Sequence, residues 1–284
     1  MNNLEVIIPA YNEEESIVEV IKGIRRVMGD TCRIIVVDDG SEDKTGSAAS
    51  GLGVEVIRHP YNIGNGAGIK TGLRAAKADV IVLMDGDGQH LPDNIPLLVS
   101  RIDKFDMVIA ARDFSGFSPR NLANKFYNLF AAYITQFRVQ DLTSGFRVVK
   151  RKAALKFLYL LPNGFSYPTT LTLSFLKTGR TIKYLPVSVS LRTSGRSKIN
   201  LLKDGMKFLL IITRIATFFS PLRVFLPVSM FFFICGLIYY LWTYLRFHRF
   251  TNMSVLLFTT SIIIFMLGLV SEQIAQLRMD RTED

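Results

Sequence analysis

Residues 82–90 read VLMDGDGQH, and they decide how the rest of the chain is organised. The apolar run that ends at Met84 has the composition of a buried strand. Asp85, Asp87 and Gln89 follow at once, separated by glycines. A buried strand that ends in this much acidity needs a reason, and the flanking sequence supplies it.

Short apolar segments recur along the first 110 residues, and most lead through a turn into a helical pattern. Strands that are apolar on both faces belong in a parallel sheet covered by helices. Alternation of strand and helix predicts right-handed crossovers and a doubly wound α/β fold, whose ligands lie beyond the carboxyl ends of the strands. Asp38, Asp39, Asp85 and Asp87 all fall at such ends. The predicted strands are residues 4–8, 33–37, 54–58, 79–84 and 106–110.

The acidic turn favours a divalent metal site over two alternatives. An EF-hand loop needs Gly at its sixth position and Glu at its twelfth, but counting from Asp85 these are His90 and Pro96. A solvated turn explains one acid and the glycines, but not two acids with Gln and His in a chain of net charge +10. Asp85, Asp87 and Gln89 would hold Mg²⁺ or Mn²⁺, which completes its shell with water and substrate phosphate. A nucleoside diphosphate is the natural partner, because the metal stabilises it as a leaving group.

Two long apolar stretches near the C-terminus predict a membrane hairpin. Residues 222–245 and 253–271 are nearly free of charge, and a helix needs about 20 residues to cross the hydrocarbon core. Their length disfavours two buried helices of a soluble protein. Because the N-terminal stretch lacks the features of a signal peptide, we expect the first domain in the cytosol. The loop between the spans disagrees with the positive-inside rule, since it carries Arg246, His248 and Arg249.

Two further segments have amphipathic patterns. In residues 199–219, Lys203, Lys207 and Arg214 share one side and the rest is strongly apolar, which favours a helix on a membrane surface. The second segment has an apolar helical face, and here core packing and membrane contact are equally compatible with the pattern. Its members are Leu122, Phe126, Leu129, Phe130, Tyr133 and Phe137.

The basic surplus narrows the class of partner. Lys and Arg exceed Asp and Glu by ten, which favours phosphorylated ligands, anionic lipid or nucleic acid. Nucleic acid has little support, because the basic residues are not interleaved with aromatic ones and the domain is predicted to be membrane-tethered. Cys32 and Cys235 lie in segments of different type, so we expect no disulfide framework.

Six motifs follow one another along the chain: VIIPAYNEEESI, VVDDGSEDKT, NIGNGAGIKTG, LMDGDGQH, DLTSGFRV and LRTSGRSKI. In this order they occur in family-two glycosyltransferases of the GT-A fold, which the chain resembles over residues 1–200. More narrowly, it is similar to the polyprenyl-phosphate glycosyltransferases, the group that includes dolichol-phosphate mannose synthases. The resemblance implies a GT-A domain (α/β, Rossmann-like, with a mainly parallel sheet) over residues 1–198. It also implies a membrane-interface helix over 199–220, followed by two transmembrane helices and a short cytosolic tail over 221–284.

The resemblance also implies residues that bind the nucleotide sugar. Residues 64–68 match neither a Walker loop nor a dinucleotide fingerprint, so alone they would be weak evidence. The implied donor-binding residues are Pro9, Ala10, Tyr11, Glu13, Asp38, Asp39, Gly66, Lys70, Asp85, Gly86, Arg192 and Lys198.

The remaining implied roles concern the metal, the acceptor and catalysis. Asp85, Asp87 and Gln89 match the family's metal motif. Asp87, Asp141 and Arg147 are expected to serve catalysis. Residues expected at the acceptor phosphate are Arg112, Arg120, Ser144, Arg147 and Ser197.

The implied reaction is metal-dependent, inverting transfer of a sugar from a nucleotide sugar to a polyprenyl phosphate, either dolichyl or undecaprenyl. GDP-mannose is the favoured donor, with UDP-glucose and UDP-N-acetylglucosamine next. A phosphate monoester has a second pKa near about 6 and is already an anion at neutral pH, so the reaction needs no general base. We therefore expect a structural role for His90.

Two other classes of protein remain possible. A processive polysaccharide synthase would carry a Q-x-x-R-W segment and more spans, whereas the only Trp here, Trp242, lies inside the first span. A non-catalytic membrane scaffold would not need the acidic turn beside two phosphate-binding motifs.

Overall fold

Two compact units make up the protein, Met1–Leu209 and Leu210–Asp284. The structure is a computed structural model, and it describes residues 4–112, 119–164, 166–187 and 201–283.

A seven-stranded sheet forms the centre of the first unit, in the order β3-β2-β1-β4-β6-β5-β7. Within the described residues the strands are β1 Leu4–Ala10, β2 Arg33–Asp38, β3 Glu55–Arg58, β4 Val80–Leu83, β5 Met107–Ala111, β6 Arg147–Lys150 and β7 Ile182–Pro186. The first five correspond to the predicted strands. The last two are additions that the sequence pattern did not predict.

The helices alternate with these strands through most of the first unit, as predicted for a doubly wound fold. A short 3₁₀ turn over Pro92–Asn94 precedes α4. The helices of the first unit are α1 Glu14–Met28, α2 Thr45–Ser50, α3 Asn65–Ala75, α4 Ile95–Val99, α5 Pro119–Thr135, α6 Arg151–Leu155 and α7 Tyr167–Lys177. Three long helices follow: α8 Leu201–Phe219, α9 Leu222–Phe247 and α10 Asn252–Glu283.

One strand reverses the direction of the sheet. β6 runs antiparallel to both of its neighbours, β4 and β5, whereas the other pairs are parallel. Its first residue, Arg147, pairs with Leu83 and Ile109. The start of β6 therefore lies at the edge of the sheet where β4 and β5 end, and it brings the preceding residues 141–146 to that edge.

Both faces of the sheet are covered, which explains why its strands are apolar on both sides. Along β1, Val6 and Ile8 pack in one hydrophobic cluster with Ile17 and Ile21 of α1. Ile7 points to the other cluster, which α3 and α7 complete. This alternation follows from the two-residue period of a strand.

The predicted apolar face of α5 is not part of the core. Phe126, Leu129, Tyr133 and Phe137 are exposed, Leu129 to 71%. Ala131 and Ile134, on the other side of the helix, are buried instead. The core-packing interpretation of that face is therefore wrong, and the membrane interpretation stays a prediction.

In the second unit, α9 and α10 pack closely as a hairpin. Leu222–Phe247 and Asn252–Leu277 are long and apolar enough to cross a membrane, and most of their side chains are exposed. Ser229 Oγ donates to the Ser261 carbonyl at 2.9 Å, and Ser261 Oγ returns a bond of the same length. A Cβ added at Gly268 would lie 2.8 Å from Phe225 Cβ. Small residues and hydroxyls at helix contacts are typical of membrane helices.

Candidate active site

The acidic turn after β4 is anchored to α1. Ser16 Oγ donates to the Gly86 carbonyl at 2.7 Å, and Gln89 N–H donates to Asp87 Oδ1 at 3.1 Å. Gly88 has a φ of +71°, a conformation that glycine adopts without steric cost. The turn thus keeps both acids close to the end of β4.

The donor atoms of this turn fit a hard divalent cation. The described residues contain no group of three or more His, Cys, Asp or Glu side chains that could hold a metal ion. Mg²⁺ and Mn²⁺ do not require such a group, because one or two carboxylates suffice when water and substrate phosphate supply the rest. Asp85 and Asp87 offer those carboxylates, and Gln89 offers an amide oxygen.

Asp141 and Arg112 form a buried ion pair beside the turn. Arg112 Nε lies 2.8 Å from Asp141 Oδ2, and Arg112 Nη2 lies 2.9 Å from Oδ1. The backbone N–H groups of Thr143 and Ser144 also donate to Oδ1. Burial raises the pKa of Asp141, but the hydrogen bonds and charge of Arg112 outweigh it and hold that pKa below its usual range.

This pairing changes the interpretation of Asp141 and fixes the position of Arg112. Asp141 is fully buried, and its oxygens are occupied by neighbouring groups, so it positions the turn instead of touching a substrate. Arg112 is partly exposed. Burial lowers the pKa of its guanidinium, but the hydrogen bond and charge of Asp141, followed by the charges of Asp85 and Asp87, outweigh it and raise that pKa. Its positive charge therefore lies at the edge that holds the acidic turn.

His90 is suited to packing and not to proton transfer. It is buried with its ring 5.2 Å from the ring of Phe146. Burial and then the charge of Arg112 lower its pKa to about 4, although Asp87 opposes them. His90 is therefore neutral at physiological pH, in agreement with the expected structural role.

Arg147 lies in the core, away from any position where it could hold an acceptor phosphate. It is 0% exposed. Its guanidinium donates to the Pro168 carbonyl at 3.0 Å, to Thr172 Oγ1 at 3.1 Å and to the Ser144 carbonyl. This differs from both roles expected for it, catalysis and acceptor binding. Arg147 instead ties the 141–146 turn to the start of α7, while burial lowers its pKa.

Gly145 brings this turn into contact with the metal motif. A Cβ at Gly145 would lie 2.1 Å from Asp85 Oδ2, so no larger residue fits there without movement. Tyr167 Oη donates to the Gly145 carbonyl at 3.1 Å, and Asn65 Nδ2 lies 3.4 Å from Asp85 Oδ1. Asp85 thus stands between two loops that other residues hold in place.

A pocket opens beside Asp85. Its lining includes Asn65, Thr143, Ser166 and Thr169, which carry amide or hydroxyl groups. Asn65 and Thr143 lie within two of the sequence motifs, which assigned them no role, and Ser166 and Thr169 lie outside the motifs. What they share is their place in the fold, because most of them lie just before the antiparallel strand β6 or at the start of α7, at the carboxyl edge of the sheet.

The glycine-rich segment is occupied by protein backbone. Gly66 N–H donates to the Gly164 carbonyl at 3.1 Å and Ala67 N–H donates to the Asn163 carbonyl at 2.8 Å. A Cβ at Gly66 would lie 2.0 Å from the Pro162 carbonyl oxygen. These contacts differ from the expected nucleotide contact of Gly66. Lys70 differs in the same way, since its Nζ contacts the carbonyl oxygen of Leu161 and the side chain of Asn163.

Asp38 and Asp39 are buried at the end of β2 and order the loops around them. Asp39 Oδ1 and Oδ2 accept from the N–H groups of Ile63 and Gly64 at 3.1 and 2.7 Å. His59 Nδ1 lies 2.7 Å from Asp39 Oδ1. Asp38 Oδ1 accepts from the N–H of Ser41 at 2.9 Å. Both acids reach the predicted edge, but these oxygens shape the surrounding loops.

The other predicted residues fall into two groups. Pro9 and Ala10 end β1, where they pair with Val37 and Asp38 of β2. Tyr11 and Glu13 lie in the turn that follows. The hydrogen bond from Ser16 Oγ to the Gly86 carbonyl links the start of α1, just after this turn, to the acidic turn. The second group cannot be placed at the site: Arg192, Ser197 and Lys198 lie outside the described residues, and the side chain of Arg120 is not among those described.

Comparison with known proteins agrees with the fold of the first unit. Residues 5–158 match Glycosyl transferase family 2, and residues 220–277 match the GtrB C-terminal hairpin. The chain belongs to glycosyl transferase family 2 and is a glycosyltransferase. The hairpin match and the two apolar helices support a membrane protein.

Two relatives in sequence and one solved structure are similar to the chain. Polyprenol monophosphomannose synthase of Mycolicibacterium smegmatis is 29% identical over 69% of the chain and 80% of its own length. UDP-N-acetylglucosamine--dolichyl-phosphate N-acetylglucosaminyltransferase of Methanococcus voltae is 35% identical over 54% and 71%. Glucosyl-3-phosphoglycerate synthase of Mycobacterium tuberculosis, crystallised with Mn²⁺, UDP and phosphoglyceric acid, has a TM-score of 0.63 at 22% identity, over 75% of this chain and 78% of its own. That similarity concerns the fold.

Proposed function

We propose that the protein transfers a sugar from a nucleotide sugar to a polyprenyl phosphate, with inversion at the sugar C1 and dependence on Mg²⁺ or Mn²⁺. The observation that carries the proposal is the position of Asp85. It belongs to an acidic turn at the carboxyl edge of the sheet, and it also lines a pocket. A diphosphate and its attached sugar need those two environments side by side.

The residues of the site position the two reactants and supply charge, and none of them is needed as a general base. The acceptor phosphate is already anionic at neutral pH, and its oxygen forms the new bond to C1 as the bond from C1 to the diphosphate oxygen breaks. Arg112 places a positive charge at this edge, where two anionic reactants must meet. His90, with its pKa near 4, takes no part as a proton acceptor. Asp85, Asp87 and Gln89 would hold Mg²⁺ or Mn²⁺, which would neutralise charge on the departing nucleoside diphosphate.

GDP-mannose is the proposed donor. The name of the Mycolicibacterium smegmatis relative supports mannose, and the name of the Methanococcus voltae relative supports UDP-N-acetylglucosamine as the second candidate. UDP-glucose follows as a third. The acceptor is dolichyl or undecaprenyl phosphate.

The two apolar helices support a membrane location for the reaction. We infer that residues 1–198 form the catalytic domain on the cytosolic side, that 199–220 lies along the membrane surface, and that 221–284 crosses it twice. A long polyprenyl chain stays in the bilayer, so an enzyme anchored there meets its acceptor without extracting it from lipid.

A transfer assay tests the proposal. The purified full-length protein is incubated with a polyprenyl phosphate, Mg²⁺ or Mn²⁺, and labelled GDP-mannose, UDP-glucose or UDP-N-acetylglucosamine in turn. Label is expected in the lipid phase from one donor, and EDTA is expected to abolish it. A labelled water-soluble polymer would indicate a polysaccharide synthase, and absence of lipid product with every donor would refute the proposed acceptor.

A further inference from the structure

The turn between α9 and α10 is positively charged, and no acidic residue lies near it in the sequence. Arg246 and Arg249 are exposed, and neither side chain makes a hydrogen bond or ion pair with the residues that the structure describes. From 205 to 271 the sequence contains no aspartate or glutamate. The charge of this turn, residues 246–250 and here called the tip, is therefore balanced from outside the chain.

Helix electrostatics account for one of the two arginines only. Arg246 lies in the last turn of α9, where the partial negative charge of a helix end favours a cation. Arg249 lies instead three residues before Asn252, where α10 begins, and the partial positive charge of a helix start disfavours a cation there. Arg249 thus needs a partner that neither helix supplies.

Aromatic side chains surround the tip. Trp242 is 50% exposed and Phe247 55%, and their ring centroids lie 6.0 Å apart. Tryptophan and tyrosine concentrate at the level of lipid headgroups, because their rings are apolar at one end and polar at the other. The set, here called the aromatic collar, therefore marks the depth of the tip in a bilayer. Its members are Tyr239, Tyr240, Trp242, Tyr244, Phe247 and Phe250.

The length of α9 gives the same depth. The helix has 26 residues, which at 1.5 Å each amount to about 39 Å, whereas the hydrocarbon core of a bilayer is about 30 Å thick. A helix of this length that crosses the core has room for Arg223 beyond one boundary and Arg246 beyond the other. The tip arginines are then at the level of the lipid phosphates.

Charge distinguishes the tip from the other end of the hairpin and selects the class of lipid. Near the end of α10, Arg278 and Arg281 alternate with Asp280 and Glu283, so that end carries both signs. The tip carries arginines alone. A guanidinium binds two phosphate oxygens at once. The phosphate of a zwitterionic lipid already has an ammonium group attached to the same molecule, whereas the phosphate of an anionic lipid such as phosphatidylglycerol does not.

We propose that Arg246 and Arg249 bind the phosphate groups of anionic phospholipids on the membrane face that the tip reaches, with the aromatic collar holding the tip at that depth. This inference rests on the membrane location given under the proposed function, but on no step of the reaction. It also explains why the loop is basic in spite of the positive-inside rule, since lipid phosphates balance its charge.

The single tryptophan of the chain makes the test local. Trp242 is the only one among 284 residues, and it belongs to the collar. The full-length protein is placed in nanodiscs of phosphatidylcholine with some phosphatidylglycerol, and a nitroxide near the headgroup end of the acyl chain is carried by one lipid or by the other. Labelled phosphatidylglycerol should quench Trp242 more strongly, by an enrichment of about fivefold for each arginine.

Three variants connect the enrichment to the tip. Arg246→Gln combined with Arg249→Gln should make the two labelled lipids quench equally. Replacing both arginines by lysine should keep part of the preference, because the charge remains while the planar guanidinium is lost. Arg223→Gln makes the same chemical change at the other end of α9 and should leave the preference as in wild type.

Two results would overturn the inference. Equal quenching by both lipids in wild type would mean that the tip has no preference for anionic lipid, as expected if its arginines bind an acidic protein. A preference that survives in the double glutamine variant would assign it to another part of the hairpin. Transfer activity in phosphatidylcholine alone checks that the variant is folded, and its KM for polyprenyl phosphate should not change. A raised KM would assign the tip to the acceptor instead.

The same preparations separate this inference from the proposed function. Enrichment of phosphatidylglycerol at Trp242 in a protein that forms no lipid-linked sugar would refute the proposed acceptor and leave the lipid contact standing. Normal formation of the product without enrichment would refute the lipid contact alone.

Discussion

The two halves of the sheet bring residues to the active edge in opposite chain directions. In the parallel half, β3-β2-β1-β4, each strand ends at the active edge, and the ends of β2 and β4 deliver acids there. In the mixed half, β6-β5-β7, the antiparallel strand β6 begins at that edge. The chain leaves the strands of the parallel half at this edge, whereas residues 141–146 lead from the edge into β6.

This difference separates two uses of charge. The acidic turn projects Asp85 and Asp87 from the end of β4, where backbone contacts shape the turn around them. Asp141 and Arg147 are buried in the other half and connect segments of the protein to one another. We therefore expect substitutions in the acidic turn to reduce activity with little loss of stability, and substitutions in the mixed half to reduce both.

The largest effect is expected for Asp87→Asn. Loss of one of the two carboxylates proposed to hold the metal should lower the transfer rate by roughly 10³-fold, while the melting temperature Tm stays close to that of wild type. Asp93→Asn makes the same chemical change at an exposed ion pair with Arg26 and should leave the rate unchanged. An active Asp87→Asn protein would contradict the metal assignment.

Asp141→Asn should be the most destabilising change in the mixed half. It breaks a buried ion pair, at a cost of about 3 kcal/mol, which corresponds to a fall in Tm of roughly 6–12 °C. Because the pKa of Asp141 is lowered in the folded protein, its contribution is complete above the unfolded value of about 3.9. It is lost as the pH falls through the lower folded pKa.

Thermal melts at several pH values check this expectation. Wild type should be clearly more stable than Asp141→Asn at neutral pH, and the two Tm values should converge in acid. Asp103→Asn, an exposed position, should follow wild type throughout. A constant Tm difference down to the lowest pH would mean that the ionised carboxylate contributes nothing.

Arg147→Lys should reduce stability by about 2 kcal/mol, because a single ammonium cannot replace the contacts of the guanidinium to separate carbonyls. Tm should fall by roughly 4–8 °C, and the apparent affinity for donor and acceptor should fall together as the 141–146 turn shifts. Arg26→Lys, at an exposed site, serves as control. A normal Tm with a defect only in acceptor KM would instead support the direct phosphate contact that the motif implied.

The smallest effect belongs to Thr71→Val in the parallel half. Thr71 Oγ1 lies 2.9 Å from His59 Nε2, behind Asp39. Its loss should cost about 1 kcal/mol and change kcat/KM less than about twofold. A large loss of activity at normal Tm would show that the His59–Asp39 contact acts directly on the donor, and would weaken the contrast between the two halves. Thr31→Val, at an exposed position, is the control.

The sequence was most informative where local pattern determines structure. The first five strands, the acidic turn and the two apolar helices follow from periodicity and strand-end chemistry, and the structure confirms their places. β6 was missed because RVVK is only four residues long and begins with a charge. Its burial comes from pairing with two distant strands, which no local pattern records.

The glycine-rich segment shows a different limit. Gly66 permits close approach of another group, and the sequence alone does not say whether that group is a phosphate or a backbone carbonyl. Here it is the Pro162 carbonyl. Ser166 and Tyr167 were missed for a related reason. They lie beside Gly145 of the 141–146 turn, and the sequence does not show that the start of α7 packs against that turn.

The position of β6 also governs the order in which the sheet can be completed. β4 and β5 are formed early in the chain but are not neighbours, so a gap one strand wide separates them until residues 147–150 arrive. A nascent chain that ends after β5 would present an unpaired edge on β4 and leave β5 without its partner, the kind of surface that promotes aggregation. The centre of the sheet therefore stays incomplete until β6 has been synthesised, and the same segment of chain brings the 141–146 turn to the active edge.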